Sequence, residues 1–133
     1  MSAIRIALLA SALAILFVGP LDRADAGESR RVSSYCSKSG DLCFGIFEQK
    51  GRYSFQIDTF ARYFGRYRLC VRPPRGAELC RSFPIAKKGK LFGSTVRWER
   101  NYPNRGTGRY RVTWKLASGR LGPTLVFRYV KPA

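Results

Sequence analysis

The chain has 133 residues, 25 Lys and Arg against 8 Asp and Glu, four Cys and no His. That length suits one domain rather than two, and the missing His removes the commonest general base and the usual neutral metal ligand. A formal charge of +17 is far above the roughly 2–8 of a small soluble domain, so the charge calls for an explanation.

The first element in chain order is an address. Ile4 and the run from Ile6 to Val18 are apolar apart from Ser11, with Arg5 near the front. Gly19 and Pro20 follow, then Ala24-Asp25-Ala26. A short basic start, an apolar stretch and a small-x-small site are the parts of a cleavable signal peptide, predicted over 1–26. The apolar stretch is shorter than the roughly 20 residues of a spanning helix, so no transmembrane anchor is expected after cleavage. The segment carries Arg5, Arg23, Asp22 and Asp25 and is neutral, so the mature part keeps the whole +17. Of the basic residues 18 are Arg and 7 are Lys, a skew that GC-rich codons produce as readily as a binding function does.

A short linker, 27–31, leads into a domain predicted over 32–131. A strand is expected around 32–37, and the stretches 42–47 and 79–85 are apolar enough for strands but less cleanly phased. Elsewhere the period is two. Tyr53, Phe55 and Ile57 alternate with Arg52, Ser54, Gln56 and Asp58. Tyr67, Leu69 and Val71 alternate with Arg66, Arg68, Cys70 and Arg72. Val96 and Trp98 alternate with Thr95, Arg97 and Glu99. Tyr110, Val112, Trp114 and Leu116 alternate with Arg109, Arg111, Thr113 and Lys115, and a last strand lies at 123–130. Gly, Pro, Asn and Ser clusters separate the runs. No long window has helical periodicity; residues 60–64 have room for one helical turn. Gly-Arg-Tyr occurs at Gly51, Gly65 and Gly108 at unequal intervals, which excludes a repeat architecture. It reads as one local solution used three times: a turn glycine, then an inward Tyr starting a strand.

Cys36, Cys43, Cys70 and Cys80 are all in the mature part. In an exported chain an even count reads as two disulfides. Of three possible connectivities, Cys36–Cys43 and Cys70–Cys80 are favoured because each pair brackets a turn. The separations lack the two close pairs of a zinc ribbon, so neither metal nor cofactor is expected.

Seven or eight short strands in about 100 residues predict an all-β chain, a single β-sandwich, with a small closed barrel as the alternative. Two details favour the immunoglobulin or fibronectin type III sandwich. Tyr110 follows a Pro/Asn/Gly-rich loop and precedes the last strand, as a tyrosine corner does at the start of strand F. The strand ending at Trp98 then takes the place of E, with 109–116 as F and 123–130 as G. Val112 stands where an antibody domain has its second core Cys, so the bridges are peripheral staples.

The segments 35–43, 66–76, 93–98 and 106–114 also resemble small, exported, functionally uncharacterised immunoglobulin-like proteins of high-GC Gram-positive bacteria. The resemblance covers nearly the whole mature chain. It implies a fold and a secreted location, and brings no activity, substrate or catalytic residue.

Without His there is neither a Ser-His-Asp triad nor a Cys-His pair. No Ser has Lys three residues on, and no Walker, dinucleotide or calcium motif is present. The mature carboxylates, Glu28, Asp41, Glu48, Asp58, Glu78 and Glu99, single out no pair for glycosidase chemistry. The expectation is a binding or structural module rather than an enzyme.

In an immunoglobulin-like sandwich strands C, F and G share a sheet. With 66–72 as C, the outward residues are Arg66, Arg68, Arg72, Arg109, Arg111, Lys115 and Arg128, seven cations with no carboxylate among them. The predicted partner is an anionic envelope polymer or another polyanion. Forked Arg donors suit phosphate; a merely solubilising surface is the competing reading. Sequence-specific DNA binding is not expected, because no helix is available to read a groove. Two alternatives use other features. The Cys70–Cys80 loop would present Arg75 as an exported protease inhibitor does. A protein–protein adhesion module would expose Phe47, Phe92 and Tyr102 as a patch.

Overall fold

Period-two alternation needs a dry surface on one side of every strand, and two sheets facing each other supply it. The computed structural model describes residues 28–133 and has this form. One sheet runs β1 (Arg30–Cys36), β2 (Leu42–Gln49), β3 (Arg52–Thr59), β7 (Leu91–Arg97) and β6 (Ala86–Lys88) in spatial order. The other runs β10 (Leu125–Tyr129), β8 (Gly108–Leu116), β4 (Arg66–Arg72) and β5 (Leu79–Pro84). The two-residue β9 (Gly119–Arg120) pairs with β8. All these pairings are antiparallel. The signal segment assigned to 1–26 lies outside the described residues.

The predicted all-β sandwich is the observed one, with differences of detail. Two strands were not expected, β6 and β9; at three and two residues they are too short for alternation to reveal. β1 begins at Arg30, inside the expected linker, because Arg30 and Arg31 pair with Glu48 and Phe47. The strand expected to carry Trp98 stops at Arg97, and Trp98–Asn101 forms one helical turn, α1. The reason is burial. An extended chain would put Trp98, Arg100 and Tyr102 on one side. One turn, closed by the Tyr102 N–H on the Trp98 carbonyl at 2.8 Å, buries Trp98 and Tyr102 and leaves Arg100 exposed. Residues 60–64, which have room for one helical turn, are irregular. The Thr59 hydroxyl donates to the Ala61 carbonyl at 2.7 Å, a local bond that competes with helix formation.

The core between the sheets is aromatic. Trp98, Trp114, Tyr67, Tyr110, Phe55 and Phe127 are its largest fully buried side chains. Tyr110 stacks on Phe127 at 5.0 Å, and Phe44 on Trp114 at 4.4 Å. Trp98 stands edge-on to Tyr110, Phe127 and Tyr129 at 4.8–5.1 Å. Its buried indole N–H has no hydrogen-bond acceptor among the described residues.

The three Gly-Arg-Tyr motifs each turn a tyrosine inward and an arginine outward, and two of the tyrosines tie the sheets together. The Tyr53 hydroxyl, from β3, donates to the Arg128 carbonyl of β10 at 3.2 Å. The Tyr67 hydroxyl, from β4, donates to Ser94 Oγ of β7 at 2.8 Å. Burial pushes the Tyr67 phenol up to about 12. Both favoured disulfides are present and no described cysteine is free. Each joins residues directly opposed on neighbouring strands, Cys36 with Cys43 and Cys70 with Cys80.

Candidate anion-binding face

The β10-β8-β4-β5 sheet sends Tyr67, Leu69, Val71, Tyr110, Val112, Trp114, Leu125 and Phe127 into the core, so the residues between them face out. Register then decides which outward residues become neighbours. Arg72 lies opposite Arg111, Arg68 opposite Lys115, and Arg109 opposite Arg128. Directly opposed residues of an antiparallel pair have Cβ atoms about 4.5–5.5 Å apart. Six of the seven expected cations thus meet as three like-charged pairs. The seventh, Arg66, opens the interior strand β4, where its guanidinium donates to Ser82 Oγ at 3.1 Å and the Ser82 carbonyl at 3.2 Å on the neighbouring β5.

The pairs form two groups. Arg128, Arg109, Arg111 and Arg72 occupy the end of the sheet where β8 begins; Lys115, Arg68 and Arg66 occupy the other. Between them runs a neutral row of Thr113, Cys70 and Cys80 in register. The Thr113 and Thr124 hydroxyls are 2.8 Å apart, which extends the row toward β10. Arg111 and Lys115 are four residues apart on one strand, a separation of about 13–14 Å. Thr113 and Cys70 are themselves buried, so the exposed part of the face is two groups of cations separated by a covered, uncharged row.

None of the seven predicted residues is a carboxylate, but one reaches them from outside the strands. Glu78, from the loop before β5, places Oε1 3.6 Å from Lys115 Nζ. The Glu78 side chain reaches from the loop past Cys80, 3.6 Å from its Sγ, which alternation within a strand does not reveal. One cation was missed: Arg120 pairs with Lys115 through β9 and joins the second group. The turn Ser118-Gly119 just before it was the available signal.

Arg109 and Arg111 flank Tyr110, whose surroundings fix the end of β8. Its ring is fully buried. Its hydroxyl accepts from the Arg105 N–H at 2.9 Å and donates to the Gly106 carbonyl at 2.7 Å. Asn104 Oδ1 accepts from the Gly106 N–H at 2.8 Å, so the 104–106 loop is bound to the strand that follows it. Pro74 packs on Gly108 so closely that a Cβ there would lie 2.6 Å from the proline ring. The neighbouring Arg75 is exposed in a bend, and Gly76 beside it has φ 102°.

The aromatic patch suggested for adhesion does not form. Tyr102 is buried, its hydroxyl donating to the Leu69 carbonyl at 2.5 Å, and Phe92 packs against the core. Among the described residues, one group has the crowding of a metal site, Cys70, Glu78 and Cys80. Both cysteines are in the disulfide and have no thiolate to offer. No helix among the described residues is long and apolar enough to cross a membrane. No protein-family model, curated protein or solved structure matches the chain.

Proposed function

We propose that the protein is an exported, non-catalytic β-sandwich module of the immunoglobulin type that holds anionic envelope polymers on the outer face of β10, β8, β4 and β5. The observation that carries this reading is the register of like charges. Three cation pairs sit directly opposed across neighbouring strands, and two of them, Arg72 with Arg111 and Arg109 with Arg128, have no carboxylate partner among the described residues, an arrangement that weakens a sheet when nothing neutralises it. A polyanion lying across the strands removes that penalty and gains forked guanidinium contacts.

The strand order supports the immunoglobulin type. β10-β8-β4-β5 corresponds to G-F-C-C′, and β2-β3-β7-β6 to A-B-E-D. The Tyr110 hydroxyl, bonded back to the loop before its strand, has the geometry of a tyrosine corner. Two disulfides suit an oxidising compartment, which favours export.

The test is retention of the protein on immobilised poly(glycerol phosphate). Arg72→Glu with Arg111→Glu removes one opposed pair without touching Arg66 or Lys115, whose side chains have partners inside the protein. Retention should fall steeply, and a circular dichroism spectrum should confirm the unchanged fold. If the double variant is retained like the parent protein, the face does not bind the polymer.

A further inference from the structure

The opposite side of the sandwich carries a second feature, independent of the face described above. Between the β2–β3 hairpin, the C-terminal end of β7 and α1 lies an open groove of about 840 Å³. Its floor contains Ser54 and Gln56 of β3 and Thr95 of β7, side by side because Gln56 opposes Thr95 and Ser54 opposes Arg97. Lys50, Arg52, Arg97 and Arg100 stand around it, with Glu99 as the only carboxylate among the described residues of its lining. None of these four cations forms an ion pair with another described residue.

A second observation concerns Lys50 itself. Gln49 pairs with Arg52, so Lys50 and Gly51 form a two-residue hairpin turn, with φ of 51° and 74°. Such a turn favours Asn, Asp or Gly at its first central position. Lysine takes a left-handed conformation only at a steric cost, and it is the one non-glycine described residue that does so. Costly backbone conformations persist most often where a side chain has work to do. Here the cost sets an ammonium at the mouth of a groove already rimmed by three guanidiniums.

We infer that this groove is a second anion site and that it takes a phosphate-bearing saccharide. Arg52, Arg97, Arg100 and Lys50 supply charge and donors for phosphate. Gln56, Ser54 and Thr95 both donate and accept, and Glu99 accepts; the acceptors suit sugar hydroxyls, whereas fully ionised phosphate has no donor to offer them. The volume falls within the roughly 300–1,000 Å³ of small-ligand sites.

Isotope-labelled protein is titrated with glucose 1,6-bisphosphate, and separately with pyrophosphate, while backbone amide shifts are followed. A salt concentration of about 0.15 M, with a screening length of about 8 Å, uncouples the two faces electrostatically. Saturable shifts are expected in 50–56 and 95–100, with the hexose bisphosphate binding at least about fivefold more tightly than pyrophosphate. Arg52→Ala with Arg97→Ala should weaken binding about tenfold or more, while Arg72→Glu with Arg111→Glu should leave it within about twofold. Lys50→Asn relieves the turn, so its melting temperature should rise while its affinity falls. Equal affinity for pyrophosphate would reassign the groove to bare phosphate and overturn the saccharide assignment. Unsaturable shifts spread over both sheets would overturn the site, and a stabilised Lys50→Asn with unchanged affinity would overturn the role of Lys50.

Discussion

Replacing Tyr110 with Phe deletes one oxygen and keeps a ring stacked on Phe127 at 5.0 Å. The deleted oxygen accepts from the Arg105 N–H and donates to the Gly106 carbonyl. A typical internal hydrogen bond contributes a net of about 0.5–1.5 kcal/mol, so the pair contributes roughly 1–3 kcal/mol. Water can reach part of this loop, and Asn104 still holds the Gly106 N–H, which places the loss nearer the middle than the top. For a domain of this size about 1 kcal/mol moves the melting temperature by roughly 4–8 °C. Tyr110→Phe is therefore expected to melt about 10 °C lower, read by circular dichroism. Its urea midpoint should fall with the slope unchanged, and its retention on poly(glycerol phosphate) at room temperature should match the parent, because β8 still carries Arg109 and Arg111. A melting temperature within about 2 °C of the parent would refute the reasoning, since the hydroxyl would then hold nothing that water cannot.

Removing the bridge on the basic face, Cys70→Ala with Cys80→Ala, should cost about 2–3 kcal/mol, as expected for a short closed loop; a urea titration gives the number. Alkaline pH should unfold the protein through Tyr67. Its phenol is held up at about 12 by burial against an ordinary 10, so the folded state favours the protonated form. That stabilisation is complete below pH 10 and is lost as pH rises through about 12, at most roughly 3 kcal/mol for this residue. Tyr102 shifts in the same direction for the same reason. Phenolate absorbance for these two should appear together with unfolding rather than before it. Gly93→Ala should destabilise by roughly 1–3 kcal/mol, because the new Cβ would lie 2.6 Å from the Ile57 carbonyl oxygen, a backbone atom that cannot swing away. Thermal melting checks it.

Strand content was legible because β3, β4 and β8 alternate large apolar residues with polar or charged ones, and only a sheet buries one set while solvating the other. The disulfide pairing was legible because each pair brackets a turn. Burial decided what alternation could not. Trp98 and Tyr102 are four apart, and a helical turn satisfies both while a strand would drag Arg100 inward. β6 and β9 are too short to carry a period. The basic face was half legible: alternation names the outward arginines, but Arg72 meeting Arg111 depends on register. Glu78 reaches Lys115 from a loop, and Arg120 joins through a two-residue strand. The groove on the other sheet was not legible, since Arg52, Arg97 and Arg100 come from separate elements. Its one local sign, a lysine where the hairpin wants Asn or Gly, reads as an ordinary turn until φ is known.

The most direct test of the basic face is the salt dependence of binding to poly(glycerol phosphate), measured as the slope of log K against log salt concentration. Each phosphate neutralised on a single-stranded polyanion contributes about −0.7 to that slope. Arg72, Arg111, Arg109 and Arg128 acting together predict a slope of roughly −3, and Arg111→Ala should flatten it by about 0.7. A slope near zero, or one that Arg111→Ala leaves unchanged, would contradict the account.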